Sequence, residues 1–445
     1  MMLKVLVSAY SCGPGKGSEP GVGWNIVRQI ARFHDTWVIT RPKNRGPVES
    51  VLAHEPMPNV HWIFYDIPAR KYLTWTGTST AYPHLHYVLW QIGAYFEARK
   101  LHRAILFDLV HHVTFVNYWM PIFVSLLDAP FVWGPVGGGE FSPPEFRTSF
   151  PLRAKIHEFM RDLIRNLSEL NPFLHLTAKR AALALATTSA TAERMTALGC
   201  RKVTVASAVG LPQDDILQLA KVPFRQQGPF RLMSIGDLLS WKGFDLGLRA
   251  FAQFHPHFPE SEYWLIGDGP ERKRLERLAR QLNLEDSVIF WGRIPRQQVL
   301  EKLADCDILL FPGLHDSGGW VNLEAMAAGR PVVCLDLGGP AIQVTENTGI
   351  KVPAVSPEQV ITDLAIGLGD LARDPAGRAR MSSASRERVR KYFNWDQMGN
   401  QIAAFYDHVA RTKSSAITSK FQHASLLEAH EERSQKTGSV GLGKP

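Results

Sequence analysis

A regular alternation of short apolar runs with longer segments of helical periodicity is the feature that most constrains the fold. Such alternation is typical of parallel sheets, in which crossover helices join consecutive strands. In the first half, Val22, Ile26 and Ile30 form one stripe of a helix predicted at Pro20–Phe33. The strands of this half are predicted at Val5–Ala9, Thr36–Thr40, His61–Tyr65, Leu109–Val113, Phe131–Trp133, Ala184–Thr188 and Val203–Ala206.

The pattern starts again after a polar, proline-containing segment, LPQDDILQLAKVPFRQQGP. A helix is predicted in this second half at Glu271–Leu282. Its strands are predicted at Arg231–Ile235, Tyr263–Ile266, Val288–Phe290, Ile308–Phe311 and Val332–Leu335. The fold class is therefore α/β, with two doubly wound sheets that face each other across a cleft and direct the carboxyl ends of their strands towards it.

The chain of 445 residues is long enough for two domains. We expect an N-terminal Rossmann-like domain on the acceptor side at 1–212, a linker at 213–229 and a C-terminal Rossmann-like domain at 230–395. The segment 412–445 is polar with little hydrophobic periodicity, and we expect it to be disordered.

The charge balance favours an anionic partner. Lys and Arg number 50 against 42 Asp and Glu, which gives a net charge of +8. Such an excess suits phosphorylated substrates or acidic lipid surfaces. The basic residues are dispersed and no nucleic-acid motif is present, which argues against nucleic acid as a partner.

Cysteine spacing and hydropathy indicate a cytoplasmic protein. The four cysteines form no CxxC pair, so neither a disulfide framework nor a zinc site is expected. The first apolar run is too short for a secretory signal. No apolar run reaches about 18 residues, so no membrane-spanning helix is expected.

The stretch HDSGGWVNLEAMAAGRPVV resembles the start and end of one helix with two acids along it. Gly318 and Gly319 would let the backbone approach a bound group, and free N–H groups at a helix start attract anions. Residues four and eight apart share a helical face, so Asp316 and Glu324 are predicted to point into one cleft. The alternative is an N-cap at Asp316 and a solvated Glu324.

Two further loops follow predicted strands of the second half. IGDLLSWKG carries Gly236, Lys242 and Gly243, and LIGDGPE carries Gly269. A lysine beside a close-approaching glycine can neutralise a diphosphate. Each loop taken alone has a second interpretation. Lys242 could be a surface lysine beside a turn glycine, and LIGDGPE could be an ordinary turn.

The order of motifs resembles the retaining GT-B glycosyltransferases, the glycosyl transferases group 1 family (glycosyltransferase family 4-like). The series is IGxLxxxKG, GxGP, FPG after a strand, D-x7-E-AMAAGRPVV, GGP…TGIKVP and YFNW, most specific between Ser234 and Pro353. The resemblance implies the GT-B fold, a closing helix at 396–411 that crosses back to the N-terminal domain, and a metal-independent, nucleotide-sugar-dependent hexosyltransferase. The nucleotide-sugar is a co-substrate, so no cofactor is implied.

The resemblance also implies roles for the donor-side residues. Asp316 falls beside the transferred sugar, Glu324 on the ribose and Lys242 on the diphosphate, so Asp316 and Lys242 are expected to be catalytic. The further donor-binding residues expected in this domain are Gly236, Gly243, Gly269, Gly318, Gly319, Trp320 and Asn322.

One position departs from the family pattern. Asp237 stands where the family has an arginine beside the pyrophosphate. Three interpretations stay open: Asp237 turns away, another cation such as Arg249 or Arg293 substitutes, or the activity is altered.

The first half agrees with the family more loosely. GKGSEPGVGW carries Gly17, Ser18 and Glu19 where the family has its Gly-Gly-x-Glu loop, so these three are expected to bind substrate. WGPVGGGE carries Gly138 and Gly139, for which a close approach to substrate and a flexible loop without ligand are both open.

The motif FDLVHHVTF resembles the family's strand-end Asp-Val-Val-His-x-His. The family's second histidine falls on Val113, so we expect His112 to take the catalytic role, with His111 as the alternative. Asp305-Cys306-Asp307 forms a DxD string, but it precedes a strand and is interpreted as structural, so no metal is expected.

Two segments bear on the acceptor. The aromatic stretch around Tyr87, Trp90 and Tyr95 indicates an acceptor groove, a membrane-facing patch or core. The basic, amphipathic segment Arg153–Arg180 suits an anionic lipid or a solvated helix face.

We therefore expect a glycan or lipid-linked acceptor in cell-surface polysaccharide biosynthesis, with a peripheral position on the cytoplasmic membrane face. The alternatives are a sugar-nucleotide epimerase or hydrolase, and an inactive binding scaffold, which Asp237 keeps open. A Rossmann oxidoreductase is disfavoured because no GxGxxG with a downstream acid opens the chain.

Overall fold

The computed structural model describes residues 2–15, 17–67, 83–115, 117–223 and 228–412. Apart from its first residue, the tail predicted at 412–445 lies outside these ranges. Part of the aromatic stretch lies outside them as well.

The first sheet has seven strands in the order β3-β2-β1-β4-β5-β6-β7, all parallel. β1 buries every residue after Lys4, because helices cover both faces of a doubly wound sheet. All of these strands were predicted from their apolar runs. Their bounds are β1 Lys4–Ser8, β2 Asp35–Thr40, β3 Val60–Phe64, β4 Leu109–His112, β5 Phe131–Val136, β6 Ala181–Ala186 and β7 Val203–Val205.

The helices of this domain cross over between those strands. The stripe of Val22, Ile26 and Ile30 is buried, as its periodicity predicted, and the helix that carries it starts two residues before Pro20. The bounds are α1 Ser18–Ala31, α2 Arg45–Leu52, α3 Pro83–Ile105, α4 Leu152–Ser168, α5 Pro172–Arg180 and α6 Ser189–Ala197.

The second sheet has six parallel strands in the order β10-β9-β8-β11-β12-β13. The first five were predicted, whereas β13 was missed. β13 lies at the sheet edge, where Ile350 and Lys351 are only half-buried, so it lacks the continuous apolar run of an interior strand. The bounds are β8 Arg231–Ile235, β9 Glu262–Ile266, β10 Val288–Gly292, β11 Ile308–Phe311, β12 Val332–Leu335 and β13 Gly349–Val352.

The linker range contains the first helix of the second half, and the last helix follows the second sheet. That last helix, α15, occupies residues 395–412. The other bounds are α7 Gln213–Ala220, α8 Phe244–Phe254, α9 Arg272–Gln281, α10 Arg296–Asp305, α11 Trp320–Ala327, α12 Gly338–Gln343, α13 Pro357–Arg373 and α14 Pro375–Tyr392.

The chain passes between the two sheets twice, and the two passages are bonded to each other. The N–H of Leu211 donates to the carbonyl of Phe393 at 2.7 Å, and the N–H of Trp395 donates to the carbonyl of Leu211 at 3.1 Å. α15 then packs on the first domain, where Tyr406 lies 2.6 Å from His111 Nδ1 and Asp396 pairs with Arg32 at 3.1 Å.

Sheet order fixes the edge at which a site can form. In the first sheet β1 lies between β2 and β4, and in the second β8 lies between β9 and β11. The strand order reverses at β1 and at β8, which leaves a crevice beyond the carboxyl ends of the strands. Both crevices face the space between the domains.

Three smaller predictions concern the DxD string, the aromatic stretch and membrane-spanning helices. Asp307 accepts the N–H of Arg231 at 2.9 Å, at the start of β11. In the aromatic stretch, Tyr87 and Trp90 belong to the core, whereas Leu89 and Phe96 are exposed. Among the described residues, no helix is both long and apolar enough to cross a bilayer.

Candidate active site

A cleft of about 830 Å³ separates the two domains. That volume lies within the range of small-molecule sites. From the first domain the cleft is lined by the loop before α1 and by α1 itself, and from the second by the ends of β8 and β9 with α10 and α11. The lining includes Gly17, Ser18, Trp24, Asn25, Arg28, Asp215, Gly236, Asp237, Arg293, Arg296, Trp320 and Glu324.

Lys242 and Asp316 form an ion pair between two loops of the second domain. Each side chain is 21% exposed. Gly243 holds the lysine loop in position: it has φ +65°, and a Cβ there would lie 2.1 Å from the carbonyl oxygen of Pro312. Only glycine fits such a close approach. The ammonium group also lies 5.5 Å from the centroid of Phe311.

Asp316 is not on the helix that carries Glu324, which corrects the prediction that both acids share one helical face. α11 begins at Trp320 after Gly319, whose φ of +74° is left-handed. Asp316 therefore belongs to the preceding loop, where its carbonyl accepts the N–H of Gly339 at 2.7 Å. The two glycines that were predicted to start the helix instead separate it from the first acid.

Glu324 is held by a cation that the sequence did not reveal. Arg296 Nε donates to Glu324 Oε1 at 2.9 Å, and Arg296 Nη2 also donates to Asp215 Oδ2 at 2.9 Å. Glu324 is 9% exposed. Burial raises its pKa, and the charge and hydrogen bond of Arg296 oppose that rise. The positive end of the helix dipole disfavours an arginine in the first turn of α10. The presence of Arg296 at that position could therefore have marked it as a candidate site residue.

Asp237 does not turn away from the cleft but pairs with Arg293 at 2.7 Å. The two side chains are 60% and 73% exposed, and both line the cleft. Arg249, the other predicted substitute, lies on α8 beside Arg274 and Arg277, in a separate depression. Of the two cations considered, Arg293 is the one in the cleft.

The glycines of the strand-end loops allow their backbones to touch. A Cβ at Gly267 would lie 1.9 Å from the carbonyl oxygen of Gly236, and one at Gly269 would lie 2.6 Å from that of Leu238. The loops after β8 and β9 are therefore packed directly on each other. Gly236 lines the cleft, whereas Gly269 supports the loop behind it.

The glycine-rich loop after β5 is packed at the domain interface. Gly138 has φ +92°, and a Cβ there would lie 2.4 Å from the Trp119 ring. A Cβ at Gly139 would lie 2.5 Å from Thr191 Cα, and one at Gly137 would lie 2.9 Å from Ser317 Cβ. The loop is therefore packed against the protein rather than loose, and at Gly137 it contacts the loop that carries Asp316. Gly138 and Gly139 do not line the cleft, and their approach to substrate stays a prediction.

The start of α11 is fixed by a buried amide pair. Gln343 Nε2 donates to the carbonyl of Gly318 at 2.6 Å, and Asn322 Nδ2 donates to Gln343 Oε1 at 3.1 Å. Asn322 is fully buried, so it lies behind the cleft and not in it. Trp320 and Val321 are the residues of this turn that line the cleft.

The predicted loop at the start of α1 reaches the cleft. Gly17 and Ser18 line it, and Ser18 has φ +59°, which serine rarely adopts. Glu19 lies in the first turn of α1 but outside the cleft lining. Trp24, Asn25 and Arg28 of the same helix, which the sequence analysis did not single out, line the cleft.

His112 lies in the core and not in the cleft lining, contrary to the expected catalytic position. Its Nε2 lies 2.9 Å from the Tyr87 hydroxyl and its Nδ1 lies 3.1 Å from Ser8 Oγ. Burial, aided by the neighbouring His111, lowers the pKa of His112 to about 3. Its side chain lies between the sheet and α3, a direction that a motif alignment cannot specify.

The alternative, His111, is also buried. Its Nε2 lies 2.5 Å from the carbonyl oxygen of Gly134, and burial lowers its pKa to about 4. Val113, where the family histidine falls, is buried as well. Neither histidine is charged at neutral pH.

A second set of contacts joins α4 of the first domain to the loop that carries Asp316. Arg161 Nη1 donates to His315 Nε2 at 2.8 Å, and Arg161 Nη2 donates to the carbonyl of Glu140 at 2.6 Å. The His315 ring stacks on Trp241, with centroids 5.3 Å apart, and Trp241 precedes Lys242. α4 therefore contacts the two loops that form the Lys242–Asp316 pair.

Two Rossmann-like sheets facing a cleft, with acids and cations at the strand ends of the second, define a protein of GT-B architecture. Residues 215–388 match the family described as Glycosyl transferases group 1. The match falls on the second domain and the helix that precedes it, where the motif order also carries the resemblance.

Curated relatives match parts of the chain. A GDP-mannose-dependent monoacylated alpha-(1-6)-phosphatidylinositol monomannoside mannosyltransferase of Corynebacterium glutamicum is 30% identical over 43% of this chain and 50% of its own length. A protein named for colanic acid biosynthesis, the glycosyltransferase WcaL of Salmonella typhimurium, is 26% identical over 68% of this chain and 79% of its own. The chain spans about half the length of the first curated relatives it matches.

Solved structures share the fold across almost the whole chain. Sucrose-phosphate synthase from Thermosynechococcus elongatus aligns with a TM-score of 0.60 and 19% identity, over 92% of this chain and 100% of that chain. Anabaena HepE, solved in complex with UDP and glucose, aligns with a TM-score of 0.57 and 18% identity, over 91% and 100%. At such identities the likeness establishes the fold alone.

Proposed function

We propose that the protein is a retaining glycosyltransferase that moves a hexose from a nucleotide diphosphate sugar to a glycan or lipid-linked acceptor. The observation that carries the proposal is the convergence of Lys242 with Asp316, and of Arg296 with Glu324, at the strand ends of the second domain. The match of residues 215–388 to the family Glycosyl transferases group 1 supports the same donor chemistry.

The donor's diphosphate would bind between Lys242 and the start of α11. In the free protein, Asp316 neutralises the Lys242 ammonium group. A diphosphate would compete for that ammonium group and would accept hydrogen bonds from the free N–H groups at the start of α11. Asp316 would then be released towards the hydroxyl groups of the transferred sugar.

Glu324 suits the nucleoside. A carboxylate accepts hydrogen bonds from two neighbouring hydroxyl groups, as the ribose of a nucleotide offers them. Arg296 opposes the rise that burial causes in the pKa of Glu324 and fixes the direction of its carboxylate, and Asp215 in turn holds Arg296. The linker helix α7, which carries Asp215, thus takes part in holding the donor.

The reaction needs stabilisation of the departing diphosphate. Lys242 supplies a charge at the atoms where negative charge develops, and its position is fixed before the donor arrives. The acceptor hydroxyl would enter from the first domain, near Ser18, and attack the sugar on the face from which the diphosphate leaves. Configuration at the anomeric carbon is then retained.

The names of the relatives favour a surface glycan or a lipid-linked acceptor. The mannosyltransferase of Corynebacterium glutamicum is named for a phosphatidylinositol mannoside, and WcaL for colanic acid. Cell-surface polysaccharide biosynthesis is therefore the proposed setting.

Asp237 supports a second candidate, a binding scaffold without turnover. It replaces a cation beside the diphosphate with an acid, and the acid is paired with Arg293. If that pair persists with ligand bound, Arg293 cannot offer its full charge to the diphosphate.

The test is a thermal-shift screen with UDP, GDP, ADP and their sugars. A ligand that binds only the folded protein raises its melting temperature, so one nucleotide series should give a shift. The sugar of that series is then incubated with candidate acceptors, and the anomeric configuration of the product is read by NMR. The absence of any shift would contradict the proposal. A shift without release of nucleotide diphosphate would support the scaffold, and release without any acceptor would support the hydrolase.

A further inference from the structure

Helix α4 exposes an apolar stripe along its whole length. The large apolar side chains of this stripe recur at helical spacing and continue into α5, with 39% to 76% of each exposed. They are Leu152, Ile156, Phe159, Met160, Leu163, Ile164, Leu167, Leu170, Phe173 and Leu176. Soluble monomers rarely leave a contiguous apolar surface of this size open to water.

The charged side of α4 faces inwards instead. The buried residues of this helix are Glu158 and Arg165, and Arg161 is turned to His315 in the second domain. An ordinary surface helix buries its apolar stripe and exposes its charges. The reversed orientation shows that packing among the described residues does not use the apolar side, so that side is available to a partner.

The charges at the rim of the stripe identify the kind of partner. The charged residues exposed between 152 and 180 are all basic: Arg153, Lys155, Lys179 and Arg180. The acids of this range are buried or half-buried: Glu158, Asp162 and Glu169. An apolar stripe with a basic rim matches a bilayer that contains anionic lipids.

We propose that the exposed side of α4 and α5, the docking face, lies on the surface of an anionic membrane. The apolar side chains enter the boundary between headgroups and acyl chains, and the basic residues contact the phosphates. In a symmetric dimer joined through this face, the two basic rims would lie against each other and repel. The bilayer is therefore the occupant that the charges favour.

The docking face is physically connected to the donor loops. Arg161, on the inward side of α4, holds His315, which directly precedes Asp316. A membrane under α4 would therefore fix the cleft at a set height above the bilayer. For the proposed function, on which this consequence rests, a lipid-linked acceptor would then reach the cleft without leaving the membrane.

The experiment is co-sedimentation of the full chain with vesicles. Phosphatidylcholine vesicles with about one third phosphatidylglycerol should bind the protein, and binding should weaken as salt screens the charges. Pure phosphatidylcholine should bind it about tenfold less, because each Lys or Arg near an anionic surface adds to the affinity.

Two variants test the two components of the docking face. The first removes exposed apolar side chains from the stripe and should lower vesicle affinity about tenfold or more. It is Phe159→Ser, Ile164→Ser and Leu167→Ser. The second reverses two charges of the rim, Arg153→Glu and Lys155→Glu, and should abolish the preference for the anionic lipid.

Matched controls carry the same changes in the second domain. Exposed apolar residues there are replaced in Ile289→Ser, Val355→Ser and Ile366→Ser, and exposed charges in Lys273→Glu and Arg280→Glu. Both controls should bind vesicles like the unmodified protein.

Three outcomes overturn the proposal: no binding to anionic vesicles at low salt, equal losses in the controls, or a dimer in light scattering that the triple serine variant dissociates. The nucleotide thermal shift is measured on every variant. A retained shift shows an intact donor site, so failure of membrane docking is distinguishable from failure of the proposed function.

Discussion

The two domains share one sheet topology and differ in what lies at the ends of their central strands. In the second domain, acids and cations meet at the strand ends: Arg296 and Glu324 line the cleft, and the pair Lys242–Asp316 joins two loops outside that lining. In the first, the groups at the equivalent strand ends are mainly aromatic and buried, and they include Arg41 beside Tyr10. The Tyr10 ring packs edge-on against Trp90, with centroids 5.2 Å apart, and His112 lies beneath.

The difference teaches that topology provides a crevice and side chains decide whether it becomes a site. Arg41 lies 3.7 Å from the centroid of Tyr10 and donates to the carbonyl of that residue at 3.0 Å, so even the charge of the first crevice is used in packing. We expect changes in the second crevice to alter binding and rate, and changes in the first to alter stability.

The largest effect is expected for Lys242→Ala. Its ammonium group would stabilise the departing diphosphate, and the loss of one such group typically lowers kcat about 100- to 1000-fold. Steady-state kinetics with the nucleotide-sugar found in the screen measure the change. Lys273→Ala, an exposed lysine of the same domain, is the control. An unaltered kcat in Lys242→Ala would remove the lysine from the mechanism.

Glu324→Ala should abolish the thermal shift given by the preferred nucleotide. Hydrogen bonds to a charged group contribute about 1.5–3 kcal/mol, so affinity should fall about tenfold to 100-fold. Glu324→Gln keeps the size of the side chain and loses its charge, and it should give an intermediate shift. Glu346→Ala, on an exposed loop, should leave the shift unaltered. A normal shift in Glu324→Ala would mean that Glu324 does not contact the nucleotide.

His112→Phe should affect folding rather than nucleotide binding. Tyr87 and Ser8 would each lose a buried partner, at a cost of about 1–3 kcal/mol in the free energy of unfolding. Urea titrations measure that loss, and the thermal shift with nucleotide should persist. Loss of the thermal shift in a folded His112→Phe protein would indicate that His112 takes part in nucleotide binding.

The same histidine makes stability depend on pH. Its pKa is about 3 in the folded chain, below the usual value of 6.5, so the unfolded chain binds more protons between these limits. Stability should therefore be full above pH 6.5 and fall as the pH drops below it, by about 1.4 kcal/mol per pH unit. In His112→Phe the slope should be shallower, whereas His54→Asn, at an exposed histidine, should keep it.

The smallest effect is expected for Asp237→Ala. Removing the acid frees Arg293, and exposed ion pairs contribute little, so diphosphate affinity should rise by a factor of about two to five. Titration calorimetry with the nucleotide diphosphate measures it. Asp286→Ala removes the same charge from an exposed position elsewhere and should have no effect. Weaker binding in Asp237→Ala would show that the acid itself contacts the ligand.

The sequence predicted the fold well because interior strands of a parallel sheet are apolar on both faces. The run Ile308–Phe311 is fully buried and was found, whereas the half-exposed edge strand at Gly349–Val352 was missed. Helix ends set by glycine were harder, since Gly319 starts α11 after Asp316 and not before it.

The site was predictable only in part. Lys242 and Glu324 stand in short local motifs, but Arg296 and Asp215 are 81 residues apart in sequence, so their contact has no local pattern. For His112, the direction of the side chain depends on how β4 packs. Likewise, the amphipathic pattern of α4 shows that the helix has two different faces, but it does not show which face packs against the rest of the protein.

The bonding of Leu211 to Phe393 and Trp395 joins the two interdomain passages at one isolated β-bridge. Two separate tethers could move independently, whereas this bridge makes the two passages move together. Gly210 fits against it with no room for a side chain, since a Cβ there would lie 2.6 Å from the Met398 sulfur. Any opening or closing of the cleft therefore moves both passages at this bridge, which is formed by segments more than 180 positions apart in the sequence.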